Sequence, residues 1–328
     1  MNGADVILTS RQLTVIYGAK PTGWPFGRRP AGVQALRAID LTVYAGETLA
    51  LVGESGSGKS TLARALVRCI PASSGTVHFK GSDITSVTGS SLRALRRRLQ
   101  IIFQDPFGSL NPRLTVGSAI AEPLIVHKLA HGQELRAKVA ESLSLVGLDP
   151  AVAGRKPHEF SGGQRQRICI ARALICRPEL VAADEVLSAL DLSVRSQTLE
   201  LFRQLKSQLS LTYLFISHDL GVVRQISDRV AVMYLGRIVE LAPTAALYSQ
   251  SHHPYTRALL EAVPVADPKI ERSRHYAPLP GEPPSPARPP PGCAFHTRCP
   301  RAIDRCRTDI PQLAELAPGH SVACHRPY

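Results

Sequence analysis

The sequence predicts an α/β fold built on a largely parallel β-sheet. Strand-like and helix-like segments alternate up to about residue 245, which is the pattern of such a fold. Apolar runs of strand length occur at Thr48–Val52, Leu180–Ala183 and Thr212–Ile216. The first run is followed by a glycine-rich loop and by a helical segment that begins near Lys59. The glycine-rich loop therefore lies between a predicted strand and a predicted helix.

Length and composition indicate a globular protein with one large domain and an appendage, or with two domains. The chain has 328 residues, of which 44% are apolar and 20% are charged. No apolar run reaches the roughly 18 residues that span a bilayer, and the first residues lack the pattern of a secretory signal. These features predict a cytoplasmic protein whose membrane role would depend on a partner.

The net charge of +13 is compatible with several kinds of partner. Basic surfaces attract nucleic-acid phosphates, acidic lipid head groups and acidic protein surfaces. Much of the charge, however, lies in short runs such as Arg96–Arg98 and in the tail after residue 270. Such runs are typical of solvated helix faces, so the charge alone does not indicate a ligand.

A phosphate-binding loop is predicted between the first apolar run and the helix that follows it. The segment fits the pattern G-x-x-x-x-G-K-[ST]. Glycines let backbone N–H groups point at phosphates, Lys59 reaches the β- and γ-phosphates, and the Ser60 hydroxyl is a ligand for Mg²⁺. The residues of this phosphate loop are Gly53, Glu54, Ser55, Gly56, Ser57, Gly58, Lys59, Ser60 and Thr61.

Two carboxylates and a histidine follow the other two apolar runs. Asp184 is placed to hold Mg²⁺, and Glu185 is placed to polarise an attacking water. The alternative is that both acids cap the next helix. His218 could hydrogen-bond the γ-phosphate and the water, although a single histidine is more often structural. Their joint occurrence with the phosphate loop favours the catalytic interpretation.

A second anion-binding helix end is predicted further along the chain. Ser161, Gly162, Gly163 and Gln164 directly precede a helical segment, and a helix N-terminus attracts phosphate. Gln104 follows a short apolar strand and offers a polar side chain to Mg²⁺ or to the water. The sequence does not reveal whether the two phosphate-recognising ends meet within one molecule.

In this order, the motifs resemble those of the ATP-binding cassette (ABC) ATPases over about residues 1–265. The resemblance implies a P-loop NTPase domain at 1–250. This domain has a RecA-like core sheet, an antiparallel β subdomain and a helical subdomain at about 105–165. It also implies that ATP lies between the phosphate loop of one subunit and the Ser-Gly-Gly-Gln segment of another. Since the chain carries one set of motifs, two such subunits are expected per functional unit.

The resemblance implies a role for each matching residue. Asp184 matches the magnesium-associated acid, Glu185 the catalytic carboxylate and His218 the switch histidine. Gln104 matches the glutamine that links Mg²⁺ to the transmembrane partner. Ser60, Gln104 and Asp184 are therefore the expected magnesium-site residues.

Two further positions are assigned by the same resemblance. Asp191 ends the segment Ser-Ala-Leu-Asp, which crosses the dimer interface in that family. Tyr17 is the expected aromatic residue that stacks on adenine, and Trp24 or Phe26 could take its place.

The chain departs from the family pattern at two places. Phe160 stands where the family usually has Leu before Ser-Gly-Gly-Gln, and Val186-Leu187 stands where it usually has Pro-Thr. Neither position is expected to touch phosphate, and Glu185 is intact. A hydrolytically competent site is therefore predicted.

Residues 251–328 are predicted to form a C-terminal extension. His252–Thr256 resembles the His-Pro-Tyr segment of the oligopeptide/dipeptide importer branch of the family. From the residues alone this is a turn before an amphipathic helix, and a metal role for the two histidines is the lesser alternative. Pro278–Pro291 contains eight prolines in fourteen residues and is predicted to be extended.

Four of the seven cysteines lie in this extension, at Cys293, Cys299, Cys306 and Cys324. In a reducing cytosol such a group suggests a metal rather than disulfides. Its spacing is longer than that of most zinc sites and resembles the tail of peptide-importer ATPases that carry a [4Fe–4S] cluster. The alternatives are zinc and reduced cysteines. Cys69, Cys169 and Cys176 are predicted to be small core residues.

The function predicted by this resemblance is ATP hydrolysis that energises import of peptides or related small solutes. The expected partners are two integral-membrane permease subunits, a second ATPase subunit and, indirectly, an extracytoplasmic solute-binding protein. The expected location is the cytoplasmic face of the inner membrane. The alternative is a soluble ABC ATPase acting in a nucleic-acid or enzyme complex. The sequence does not specify the transported substrate or whether the dimer partner is a second copy or a paralogue.

Overall fold

Two β-sheets organise the residues described in the computed structural model, which are 5–18, 32–188, 190–264, 267, 272 and 279–328. The strands are β1 (Val6–Tyr17), β2 (Val33–Tyr44), β3 (Thr48–Val52), β4 (Ser74–Phe79), β5 (Ser82–Asp83), β6 (Leu99–Ile102), β7 (Leu180–Asp184), β8 (Thr212–Ile216), β9 (Arg229–Tyr234), β10 (Arg237–Pro243), β11 (Ala314–Ala317) and β12 (His320–Val322).

The helices of the same residues divide into eleven α-helices and two short 3₁₀ segments. The α-helices are α1 (Lys59–Leu66), α2 (Gly89–Arg98), α3 (Pro106–Ser109), α4 (Val116–Val126), α5 (Gly132–Leu145), α6 (Gly162–Leu174), α7 (Leu192–Leu209), α8 (Leu220–Ile226), α9 (Thr244–Ser249), α10 (Pro254–Glu261) and α11 (Arg305–Thr308). The 3₁₀ segments are Pro150–Gly154 and Pro157–Glu159.

The larger sheet has the strand order β11-β12-β10-β9-β3-β8-β7-β6. Its centre is parallel, because β3 pairs in parallel with β8 and β9, and β7 pairs in parallel with β6 and β8. All five residues of β3, β7 and β8 are buried, which explains their uninterrupted apolar sequences. The parallel sheet is the predicted one, and β3 and β8 begin and end at the predicted residues.

The smaller sheet is antiparallel and has the order β2-β1-β4-β5. Buried and exposed residues are interspersed along β1 and β2, as expected when one face of a sheet covers a core. Leu13 of β1 and Leu36 of β2 are fully buried in the core that this sheet shares with α1 and β3. The sheet thus lies over the helix that follows the phosphate loop.

Helices α3, α4 and α5 and the two 3₁₀ segments occupy the stretch predicted to be helical, at about residues 105–165. Their apolar side chains, with those of α6 and α7, form a core that includes Ile120, Leu143 and Ile170. Phe160, the departure before Ser-Gly-Gly-Gln, is buried in this core. An aromatic side chain is therefore accommodated by packing at this position and does not face the site.

The C-terminal residues join the larger sheet. Strand β12 pairs with β10, where Glu240 lies opposite Val322, and β11 pairs with β12. Residues 279–291 contain neither helix nor strand, but they are not extended throughout, because the Arg288 N–H donates to the carbonyl oxygen of Ser285 and closes a turn there. Phe295 is buried beside Tyr234 of β9 and Tyr255 of α10, so this tail packs into the hydrophobic core of the main fold.

Two further observations bear on the sequence predictions. In the part of the chain that the structure describes, no helix is both long and apolar enough to cross a bilayer. Cys169 and Cys176 are buried as predicted, whereas Cys69 is exposed. The prediction for Cys69 was wrong because the chain leaves α1 just before it and turns toward the surface.

Candidate active site

The phosphate loop requires glycine at two positions where other backbone approaches closely. Gly53 has φ +147°, and a Cβ atom built on it would lie 2.2 Å from the carbonyl oxygen of Met233. Gly58 has φ +103°, and its Cβ would lie 2.6 Å from the carbonyl oxygen of Ala35. Both conformations are strained for any other residue, so the tight wrap of this loop depends on these glycines.

Lys59 lies inside the loop with only 5% of its surface exposed. Its Nζ donates hydrogen bonds to the carbonyl oxygens of Gly53 (2.8 Å) and Glu54 (2.9 Å). Burial lowers the pKa of Lys59, while the carboxylates of Glu185, Asp184 and Glu54 act in the opposite direction. The side chain therefore places a positive charge at the loop, where phosphate oxygens can replace the two carbonyls as acceptors.

Ser60 and Asp184 meet at the adjacent position. The Ser60 Oγ donates to the Asp184 Oδ1 at 2.7 Å, and the guanidinium of Arg64 lies 3.3 Å from Oδ2. Asp184 is the last residue of β7 and is completely buried. The hydroxyl and the carboxylate are hard oxygen donors of the kind that Mg²⁺ prefers, so this pair fits the magnesium site predicted for it.

Two of the predicted catalytic and magnesium-linked residues, Gln104 and His218, converge on the carboxylate of a third, Glu185. The Gln104 Nε2 donates to the Glu185 Oε2 at 3.0 Å, and the His218 Nδ1 lies 3.5 Å from the same oxygen. Glu185 itself has φ +48°, and its N–H donates to the carbonyl oxygen of Ile216. A left-handed backbone at a non-glycine residue is costly and is typical of functional sites. The strands β6, β7 and β8 end beside one another, which is why residues distant in sequence meet here.

The residues after Glu185 explain why the departure from Pro-Thr is compatible with the site. Val186 and Leu187 are 2% and 4% exposed and pack in the core beneath α6 and α7. Ser188 then closes the turn, because its N–H and its Oγ both donate to the carbonyl oxygen of Glu185. Val186 and Leu187, which stand where the family usually has Pro-Thr, therefore pack in the core under this turn.

The Ser161–Gln164 segment forms the N-terminus of α6. Ser161 Oγ accepts from the Gln164 N–H at 3.3 Å, and the Gln164 side chain accepts from the Ser161 N–H at 3.0 Å. This reciprocal capping box fixes the start of the helix. A Cβ on Gly163 would lie 2.5 Å from Val194 of α7, so close packing requires glycine there. The hydrogen bonds of the segment stay within α6, and they do not join it to the phosphate loop of the same chain.

The predicted dimer-interface and adenine positions lie at the surface. Asp191 is the N-cap residue of α7, and the next side chain, Leu192, is 77% exposed. Tyr17 is 45% exposed at the end of β1, where it pairs with Val33 of β2. Ala189, Trp24 and Phe26 lie outside the residues that the structure describes.

Two residues that the sequence did not indicate contact the phosphate loop. The hydroxyl of Tyr255 accepts a hydrogen bond from the Glu54 N–H at 2.8 Å. The guanidinium of Arg298 donates to both carboxylate oxygens of Glu54, at 2.9 and 3.2 Å. The only available signal was the family resemblance around Tyr255, because these contacts join residues 201 and 244 positions apart.

The two adjacent histidines of the extension have structural partners. His252 and His253 donate their backbone N–H groups to the buried carboxylate of Glu240, which also accepts from His320 at 2.8 Å. Burial lowers the pKa of His253 to about 3, and its neutral ring accepts from the Tyr255 N–H. These contacts account for both histidines as parts of the turn that carries Tyr255.

The four C-terminal cysteines are free thiols that lie near one another. Burial raises the pKa of Cys293 to about 11, and the neighbouring thiols of Cys306, Cys324 and Cys299 contribute in the same direction. Across the described ranges, however, no group of three or more His, Cys, Asp or Glu side chains is arranged so that it could hold a metal ion. The donor chemistry suits the predicted cluster, but the arrangement of the side chains does not support it.

Family comparisons match two parts of the chain. The family described as ABC transporter matches residues 36–188. The family described as the C-terminal region of oligopeptide/dipeptide transporters matches residues 239–306. The second match includes both Tyr255 and Arg298.

Whole-chain comparisons agree with these matches. The chain is 52% identical to the oligopeptide transport ATP-binding protein AppF of Bacillus subtilis, over 92% of each chain. It is 50% identical to a probable peptide ABC transporter ATP-binding protein of Sinorhizobium fredii, over 98% of this chain and 90% of that one.

Solved structures share the fold. The ATP-binding cassette MJ0796, a dimer bound to ADP and phosphate, has a TM-score of 0.63 at 26% identity and covers 73% of this chain and 99% of its own. CbiO1 of Clostridium perfringens, part of an ABC transporter complex, has a TM-score of 0.64 at 26% identity and covers 75% of this chain and 91% of its own.

Proposed function

Because the chain belongs to the ABC transporter family, we propose that it is the ATP-hydrolysing subunit of an importer for peptides or related small solutes. The family predicted from the motifs, the cassette fold and the ATPase assignment are confirmed. The peptide assignment is supported by the names of the relatives and by the match of the C-terminal region. Selection of the cargo would belong to the permease and the binding protein.

The observation that carries this proposal is the meeting of Gln104, Glu185 and His218 beside the phosphate loop. Phosphoryl transfer to water needs a positioned nucleophile and stabilised charge rather than covalent chemistry. Here the loop and Lys59 would hold the β- and γ-phosphates, and Glu185 would orient the attacking water and accept its proton. The water oxygen would bond to the γ-phosphorus as the bond between that phosphorus and the β–γ bridging oxygen breaks, so that ADP and phosphate leave. His218 would hydrogen-bond the γ-phosphate.

The residues proposed to hold magnesium are Ser60 and Asp184, with Gln104 beside them. When bound, Mg²⁺ neutralises charge on the β- and γ-phosphates. The hydrogen bond from Ser60 to Asp184 already orients both oxygens toward one position. The guanidinium of Arg64, 3.3 Å from the other oxygen of Asp184, fixes the orientation of the carboxylate.

A second ATPase subunit is part of the proposal. The Ser161–Gln164 helix end is not bonded to the phosphate loop of its own chain, and its N-terminal N–H groups are suited to an anion. The exposed Leu192 next to Asp191 is the kind of apolar surface residue that a subunit interface covers. One such interface would bring the phosphate loop of one subunit to the capped helix of the other, with Tyr17 on the adenine.

The proposed permease contact is a cleft of about 540 Å³ between the core and the helical subdomain. Phe103, next to Gln104, and Val126 of α4 line it, and both are exposed apolar side chains. A short cytoplasmic helix of a permease would bury these side chains against its own apolar face. The protein would then lie peripherally on the cytoplasmic face of the inner membrane.

The C-terminal extension is proposed as a unit of residues 251–328 appended to the cassette at 1–250. A [4Fe–4S] cluster held by Cys293, Cys299, Cys306 and Cys324 is proposed on the donor chemistry of these thiols and on the family resemblance, with zinc as the alternative; the side chains would have to turn toward one another to hold it. Such a cluster would pin a segment that buries little apolar surface of its own.

The direct test of the nucleotide site is the affinity for a fluorescent ATP analogue. Lys59→Ala should bind about 10- to 100-fold more weakly, because a charge-assisted hydrogen bond is worth about 1.5–3 kcal/mol. Lys138→Ala is the matched control, since Lys138 is an exposed lysine paired with Glu134 on α5. Equal affinity of Lys59→Ala and wild type would reject the proposed site.

A further inference from the structure

Among the residues that the structure describes, the C-terminal extension is hydrogen-bonded to the phosphate loop at Glu54. The N–H of Glu54 is bonded to the Tyr255 hydroxyl, and its carboxylate is paired with Arg298. Tyr255 and Arg298 both belong to the C-terminal extension. We infer that Arg298 is a positioning residue for the phosphate loop, through which the extension sets the affinity of the site for the triphosphate of ATP. This inference rests on the proposed nucleotide site.

The Arg298–Glu54 contact has the geometry of a strong ion pair. The guanidinium makes bidentate hydrogen bonds of 2.9 to 3.2 Å, and the Arg298 side chain is only 6% exposed. It also donates to the carbonyl oxygen of Pro280 and approaches the hydroxyl of Tyr234 at 3.5 Å. Removing one partner of such a pair leaves the other charge partly buried without compensation.

The position of Glu54 bears directly on the phosphates. Its carbonyl oxygen accepts from the Lys59 Nζ at 2.9 Å and from the Ser57 N–H at 3.2 Å. A shift of Glu54 would therefore move an acceptor of the lysine that reaches the phosphates. In addition, an unpaired carboxylate at this point would repel the negative charge of ATP, which Arg298 now offsets.

Arg298 is held in place by the fold of the extension. Its N–H donates to the carbonyl oxygen of Phe295, which is 1% exposed and packs against Tyr234 and Tyr255. The turn that carries Arg298 is closed by a hydrogen bond from the Cys293 N–H to the carbonyl oxygen of Cys306. The same packed group of side chains thus presents both the tyrosine and the arginine to Glu54.

The test is the equilibrium affinity of the full chain for a fluorescent ATP analogue, with thermal unfolding to verify folding. Arg298→Ala should weaken binding about 5- to 20-fold, within the range of site-to-site coupling. Arg307→Ala, a change at an exposed arginine of the same extension, should leave the affinity unchanged. The double variant Arg298→Ala/Glu54→Gln should bind more tightly than Arg298→Ala, because it lacks the unpaired negative charge.

The outcomes separate this inference from the nucleotide site itself. If Lys59→Ala weakens binding while folded Arg298→Ala binds like wild type, the positioning role of Arg298 is wrong, and the proposed nucleotide site is supported. If Lys59→Ala binds normally, the proposed site is wrong. A double variant no better than Arg298→Ala would overturn the charge argument. Where Arg298→Ala does not fold, Arg298→Gln replaces it, and wild-type affinity of that variant would overturn the inference.

Discussion

The side-chain amide of Gln104 donates a hydrogen bond of 3.0 Å to the carboxylate of Glu185, 81 positions further along the chain. Gln104 directly follows Phe103, which lines the cleft proposed to receive the permease. Glu185 is the proposed catalytic carboxylate. A movement of the cleft wall would therefore change the hydrogen bonding of the group that orients the water.

Glu185→Gln should retain ATP binding and lose turnover. The amide preserves size and accepts hydrogen bonds, but it cannot accept the proton of the attacking water, so we expect a fall in kcat of about 10²- to 10⁴-fold. Steady-state phosphate release and equilibrium binding measure the two effects separately. The matched control is Glu200→Gln on α7, an exposed carboxylate. Normal turnover in Glu185→Gln would show that Glu185 is not the catalytic carboxylate.

Gly53→Ala should disrupt the phosphate loop. The added Cβ would lie 2.2 Å from the Met233 carbonyl oxygen at a φ of +147°, so the loop must shift to accommodate it. We expect a lower thermal midpoint and weaker binding of the ATP analogue. Gly154→Ala is the control, because nothing lies within 4 Å of a Cβ there. Wild-type behaviour of both variants would mean that the loop does not need this close approach.

Folding stability should fall on acidification because of His253. Its pKa is about 3 in the folded protein, below the ordinary value of 6.5, so the unfolded chain takes up the proton first. The stabilisation that depends on neutral His253 is fully present above pH 6.5 and is lost as the pH falls toward 3. Between pH 6.5 and 5 the free energy of unfolding should fall by about 2 kcal/mol.

Urea unfolding at pH 7 and pH 5 measures this loss, with His253→Asn as the comparison. Asparagine can accept the hydrogen bond from the Tyr255 N–H at this helix N-cap but does not titrate in this range. The variant should show a smaller loss than wild type. The same loss in both proteins would show that another group causes the pH dependence.

The parts of the site that could be predicted from the sequence are those whose signal lies in a continuous run of neighbouring residues. Strands with both faces buried have uninterrupted apolar sequences, so Thr48–Val52 and Thr212–Ile216 were identifiable. The hydrogen bond from Gln104 to Glu185 joins the residues that follow β6 and β7, which end side by side, whereas the hydrogen bond from Ser60 to Asp184 joins α1 to the end of β7. Arg298 was not identifiable in this way, because its partner depends on how the tail packs on β9 and α10.

Local sequence was also a poor guide to exposure at the end of an element. Cys69 follows α1, in which all four apolar residues are buried, yet it faces solvent because the chain turns there. Conversely, Val186 and Leu187 follow Glu185, and their burial is apparent only from the fold.

The four C-terminal cysteines should hold iron and inorganic sulfide in protein purified without oxygen. Elemental analysis and an assay for acid-labile sulfide test this, with Cys299→Ser/Cys306→Ser as the variant that should lose both. Cys169→Ser is the control, since Cys169 is a buried core residue far along the chain from this group. Zinc without sulfide would identify a zinc site, and neither metal nor sulfide would leave four free thiols.

The central claim is that this ATPase drives a membrane permease, and co-purification tests it most directly. Tagged Glu185→Gln protein would be isolated from its own membranes in mild detergent with ATP, and the accompanying chains would be identified by mass spectrometry. The account predicts two multi-span permease chains, with or without a second ATPase subunit. Soluble enzymes or nucleic acid without any permease would contradict it.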